Sequence, residues 1–97
     1  MPNPIPKATR QKVYDRADWR CEVQIPQACG TGIRAMAIHH RKLRRSKDHS
    51  LENLVLLCKG CHDFIHAHPA QAYSNGWLVH SYEDPALVEV KSFRRDR

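Results

Sequence analysis

The chain has 97 residues, enough for one domain and few enough that its core alone gives modest stability. Sixteen Lys and Arg against ten Asp and Glu leave a formal charge of +6, which points to a polyanionic partner. No apolar run approaches the roughly 18 residues that cross a bilayer, and residues 1–6 lack the apolar core of a signal peptide. The expected location is therefore the cytoplasm, with no membrane partner, where four cysteines favour a metal over disulfides.

Prolines at positions 2, 4 and 6 make residues 1–6 an extended tail. A short helix is expected to open at Thr9 or the residues just before it and run to about Ala17, with Val13, Tyr14 and Ala17 on one face. Arg10, Lys12 and Arg16 lie on its outer face, facing solvent or a phosphate. Trp19 is expected to pack over the cysteines or the core. Pro26, Gly30 and Gly32 mark turns, so the segment after Cys21 reads as an irregular knuckle.

Residues 34–41 alternate as a strand does, with Met36, Ile38 and His40 on one side and Ala35, Ala37 and His39 on the other. Residues 41–50 are too polar for either regular element and read as a loop. Leu54 to Leu57 is a short buried strand, and Cys61 to about Ala67 a helix stopped by Pro69. Ala70 to Ser74 adds a turn or two of helix, ended by Asn75-Gly76. Within residues 77–91, Trp77–His80 and Leu87–Val90 are expected to pair as a hairpin around Asp84-Pro85. Residues 92–97 read as a basic tail, and the whole chain, 1–97, as a single domain.

Cys58-x-x-Cys61 has the spacing that lets two sulfurs face one ion. Cys21 and Cys29, with seven residues between them, complete a four-thiolate site for structural zinc. Such a site is closed to substrate, so it staples the N-terminal segment to the helix rather than catalysing.

The histidines offer different chemistry. His62 and His66 are one helical turn apart, so both rings fall on one face and can share a metal. His39 and His40 point to opposite sides of a strand, so one can ligate that metal while its neighbour stands free. Phosphodiester hydrolysis needs those parts: a water, a base to deprotonate it, and a Lewis acid near the scissile phosphate. His49, His68 and His80 are expected as surface or packing residues. Arg41, Lys42, Arg44, Arg45 and Lys47 crowd together after the histidine pair and are expected to contact phosphates, with Arg41 nearest the scissile one.

Taken in order, His39-His40, Asn53, Cys58-Lys59-Gly60-Cys61-His62 and His66 resemble the HNH endonuclease family, over roughly residues 21–76. The resemblance implies an α+β fold, a small ββα-metal finger stapled by a four-cysteine zinc knuckle. It also implies roles. His39 is a ligand of the catalytic ion, His40 the general base, Asn53 the residue that ties down the loop and orients the base, and His62 and His66 further ligands. Many members carry Asp where this chain has His39. An all-imidazole shell favours Zn2+, Ni2+, Co2+ or Mn2+ over Mg2+.

The activity implied is metal-dependent hydrolysis of double-stranded DNA, nicking one strand or cutting both. Without a long reading helix, sequence preference is expected to be weak. Small stand-alone chains of this kind resemble bacteriophage proteins that act near the packaging machinery, in the host cytoplasm. The alternative is a non-catalytic zinc-finger DNA-binding module that has no use for His40. A metallopeptidase is suggested by His62-x-x-x-His66, but such enzymes carry Glu where this chain has the shorter Asp63.

Overall fold

The computed structural model describes residues 5–30, 37–42 and 48–94. Its centre is β2, Leu54–Leu57, whose four residues are all buried. A strand covered on both faces reads as a continuous apolar run, and Leu-Val-Leu-Leu is one. It pairs antiparallel with β1, Ala37–His40, in the register His39 opposite Val55 and His40 opposite Leu54. Of the expected strand, residues 34–36 lie outside the described residues, as do residues 1–4 and 95–97 of the two tails.

Alternation along β2 splits the core in two. Leu54 and Leu56 pack against Val13 and Ala17 of helix α1, Lys7–Ala17, with Ile38 at their side. Val55 and Leu57 face a larger cluster that includes Val23, Ile25, Ile65, Ala72 and Trp77. His39 lies on β1 between two residues of opposite orientation, so it shares this second side, and Ile38 and His40 the first. Leu51–Asn53 forms a short 3-10 turn into β2.

Helix α2, Lys59–Ala67, begins two residues before Cys61, the expected start, because Cys58 caps it: its sulfur accepts the Cys61 N–H. Helix α3, Pro69–Ser74, follows directly, with the proline in the first turn where its missing N–H is not needed. Gly76 then turns at φ 76°, and a Cβ there would lie 1.9 Å from the Glu89 carbonyl oxygen, so only glycine fits.

Three expectations change. Trp77–His80 and Leu87–Val90 form no hairpin. Val79 instead bridges Lys42 in parallel and donates its N–H to the Arg41 carbonyl at 2.9 Å. Residues 85–87 make a 3-10 turn, and the carbonyls of Pro85 and Val88 accept from the Arg41 guanidinium, which takes them out of any ladder with residues 77–80. The chain from Val88 onward folds back over the core, with Lys91 N–H on Asn75, Phe93 N–H on Val23 and the Arg94 guanidinium on Ala17.

Trp19 does not cover the cysteines. Asp18 and Trp19 both adopt left-handed backbone (φ 57° and 58°), which turns the indole outward against Tyr14, leaving it 58% exposed. Arg16 is exposed, but its guanidinium is committed within the chain. Its guanidinium grips both carboxylate oxygens of buried Glu22, at 2.9 and 2.7 Å, and the carbonyls of Leu51 and Leu54. This clamp ties α1 to the start of β2. No helix among the described residues is long and apolar enough to cross a membrane.

Candidate active site

Metal-ligating side chains gather in two clusters among the described residues. In the first, one sulfur from each of Cys21, Cys29, Cys58 and Cys61 lies within 4.8 Å of the others. Cys29 and Cys58 sulfurs are 3.6 Å apart. A disulfide would need about 2.05 Å, whereas two thiolates on one tetrahedral zinc stand about 3.8 Å apart. The cluster thus has the form of a four-cysteine metal knuckle.

Its wide first spacing is closed by local turns. Gln24 is left-handed (φ 51°), and a single helical turn, with Cys29 N–H on the Ile25 carbonyl at 2.7 Å, brings the second sulfur back. Gly60 lets the halves meet, since a Cβ there would sit 2.0 Å from the Ala28 carbonyl oxygen. Backbone N–H groups of Gln24, Ile25 and Cys61 point at sulfurs of the cluster. The hydrogen bond from the Cys61 thiol, opposed by burial, pushes Cys21 down to about 5. Burial, then the neighbouring sulfurs, pushes Cys29 up to about 12. The Cys21 thiolate forms readily while the Cys29 and Cys61 thiols resist ionisation, so gathering thiolates here calls for a cation.

The second cluster is His39, His62 and His66, again with ligand atoms within 4.8 Å. His62 and His66 present their Nε2 atoms 3.2 Å apart from successive turns of α2. Two imidazoles on one tetrahedral ion would stand about 3.3 Å apart. His39 comes from β1 and is buried. Its Nε2 lies 3.0 Å from the Trp77 carbonyl. A carbonyl only accepts, so Nε2 carries the proton and Nδ1 keeps the lone pair for a metal. Burial first, then the nearby His62 and His66, pushes His39 down to about 4, with the Trp77 carbonyl opposing. Burial and then His66 lower His62 as well. Burial that disfavours the charged form of His39 and His62 suits them to a divalent ion, which binds neutral imidazole.

His40 stands on the other side of β1. It is half-buried, and its Nε2 meets Nδ1 of His49 at 3.1 Å. Burial, then the proximity of His49, lowers its pKa, with Asp48 opposing. Asn53 is fully buried. Its Oδ1 accepts the Lys42 N–H at 2.8 Å, its Nδ2 donates to the Asp48 carbonyl at 2.7 Å, and its own carbonyl accepts the Arg41 N–H. It clamps both stems of the polar loop.

His49, expected at the surface or in packing, is half-buried against His40, a contact that nothing in the sequence signals. The loop that carries it to His40 is closed by side-chain hydrogen bonds, which leave no periodic signal. His68 and His80 keep the simpler role. His68 rests on Phe64, and His80 stacks on Tyr73 and Tyr82.

Arg41 is a correction. It is 2% exposed, and its guanidinium donates to the carbonyls of Gly76, Glu52, Pro85 and Val88. With its donors committed to the backbone it cannot reach a phosphate. Lys42 is half-buried, and Arg44, Arg45 and Lys47 lie outside the described residues. Asp63, the would-be base of a peptidase, is exposed and paired with Lys59 at 2.7 Å instead.

Residues 26–68 match the family model described as HNH endonuclease, a stretch that holds both cysteines of the knuckle's second pair, Asn53 and all four histidines of the motif. No curated protein and no solved structure matches the chain.

Proposed function

We propose that this chain, which carries an HNH endonuclease domain over residues 26–68, is a metal-dependent endonuclease that hydrolyses phosphodiester bonds of double-stranded DNA. The observation that carries the proposal is the convergence of His39, His62 and His66 nitrogens, with the next residue along β1, His40, on the strand's other face and in neither metal cluster. A divalent ion held by those three imidazoles would supply Lewis acidity at the phosphate and at the departing 3′ oxygen. The sites' donor chemistry fits Zn2+, Ni2+, Co2+ or Mn2+ better than Mg2+. Four thiolates at Cys21, Cys29, Cys58 and Cys61 fit structural Zn2+.

The chain's own residues do the rest. His40 takes a proton from the attacking water. His39 is held as a ligand by the Trp77 carbonyl, which fixes its ring and its tautomer. Asn53 fixes the loop after His40, and within that loop we assign phosphate contacts to Lys42, Arg44, Arg45 and Lys47. Arg41 is excluded from that set by its burial.

Supercoiled plasmid incubated with purified protein across Zn2+, Ni2+, Co2+, Mn2+ and Mg2+ tests the proposal. Relaxed or linear DNA bearing 5′-phosphate ends is the expected product. Good DNA binding with no cleavage in any metal would reject it and leave a zinc-stapled DNA-binding module.

A further inference from the structure

We infer that His49 is a positioning residue for His40, fixing that imidazole in the tautomer that leaves its Nδ1 free to take a proton. The inference rests on the nuclease reading above and adds to it a side chain outside the HNH motif residues.

The geometry is a histidine pair. Nε2 of His40 and Nδ1 of His49 are 3.1 Å apart, with ring centroids 5.2 Å apart and planes at 59°. A neutral imidazole has one N–H and one lone pair, so the nitrogen bonded to His49 and the nitrogen that acts as base must differ. If Nε2 of His40 carries the proton, it donates to Nδ1 of His49, and Nδ1 of His40 keeps its lone pair. The reverse arrangement spends the lone pair of His40 on His49 and leaves no base. In the productive arrangement, Nδ1 of His40 accepts a proton from water as the oxygen attacks phosphorus. The Nε2–H bond to His49 is kept throughout, so the positive charge on the ring meets an acceptor already in place.

A second observation concerns the far side of His49. When its Nδ1 accepts, its Nε2 must carry the proton, yet Nε2 is buried with no hydrogen-bond partner among the described residues. Buried polar atoms are rarely left so, and an apolar side chain would serve packing alone without that cost. The third observation is how His49 is delivered. Its neighbour Asp48 is held at its carbonyl by Asn53 and at its carboxylate by the Ser50 N–H, at 2.7 and 2.9 Å. Asn53 therefore reaches the base through His49: the asparagine closes the loop, and the closed loop sets one ring against the other.

The test compares plasmid nicking by the parent protein, His49→Ala and His49→Asn, with metal content and thermal melting checked for each. Asn offers an acceptor oxygen near the place of Nδ1. His49→Ala is expected to lower kcat about 10–100-fold with KM for DNA and metal content unchanged, and His49→Asn to recover most of the loss. Equal kcat in all three, or a loss that Asn does not restore, overturns the role. Two-bond nitrogen–proton NMR of the imidazoles supplies a readout independent of turnover. Nε2–H tautomers at both His40 and His49 support the pair, and an Nδ1–H tautomer at His40 overturns it. A parent that cleaves nothing in any metal removes the nuclease reading and this role together. A cleaving parent with an unimpaired His49→Ala removes this role alone.

Discussion

The ring of His39 reaches from β1 to the carbonyl of Trp77, 3.0 Å from its Nε2, so a residue beyond α3 decides which nitrogen of a β-strand histidine faces α2. The indole of Trp77 is itself held by the Lys91 carbonyl at 2.8 Å. His39→Ala should therefore lose one equivalent of metal and keep the other. Trp77→Phe, which removes the indole hydrogen bond and part of the buried ring's packing, should keep both but hold the histidine-site ion about 10-fold more weakly. Metal analysis and competition with a chelator check both. Loss of two equivalents in His39→Ala would mean that the two clusters are not independent.

Arg41→Lys should destabilise the fold by about 3 kcal/mol or more, since it leaves several buried carbonyls without donors and an ammonium cannot copy a planar fork. Urea unfolding measures the loss. DNA affinity per folded molecule should not change, because the guanidinium faces carbonyls. A variant that folds as well as the parent but binds DNA poorly would restore Arg41 to the phosphate-contacting set.

Gly60→Ala places a methyl where the Ala28 carbonyl oxygen stands 2.0 Å away, so the knuckle's two halves must part. The expected outcome is weaker metal retention at the four cysteines and a lower melting temperature, with His62 and His66 still one turn apart on α2. A zinc competition assay and a melt report it; retention equal to the parent would mean the loop around Ala28 yields without strain.

The pH dependence of stability follows from His39. Its folded pKa is held near 4, by burial first, below the ordinary 6.5. Above 6.5 the group is neutral in both states and costs nothing. As pH falls toward 4 the unfolded chain takes up a proton that the folded protein refuses, and stability drops, by about 3 kcal/mol for this group. His40 and His62, lowered in the same direction, add to the slope. Denaturant melts of metal-depleted protein between pH 7 and pH 4 should show the decline, and His39→Asn should show less of it. Identical slopes in the two proteins would place the pH sensitivity elsewhere.

Spacing made part of this molecule legible. The x-x between Cys58 and Cys61, the turn between His62 and His66, and the opposite faces of His39 and His40 are rules of local geometry, which hold wherever the segment sits. Leu54–Leu57 was readable as a buried strand for the same reason. What could not be read depends on partners far along the chain. Arg41 looked like one cation of a basic loop, and nothing nearby shows that its guanidinium meets carbonyls 35 to 47 residues onward. Those same bonds dissolved the expected hairpin of residues 77–90. His49 lay in a stretch without periodicity, and only the closure of the loop by Asn53 brings it to His40.

His40→Ala, assayed for cleavage and for metal in the same preparation, separates base from ligands. Two metal equivalents, an unchanged melting temperature and cleavage slower by about 100-fold or more are expected. Cleavage at the parent's rate with both metals in place would contradict the role of His40 as base.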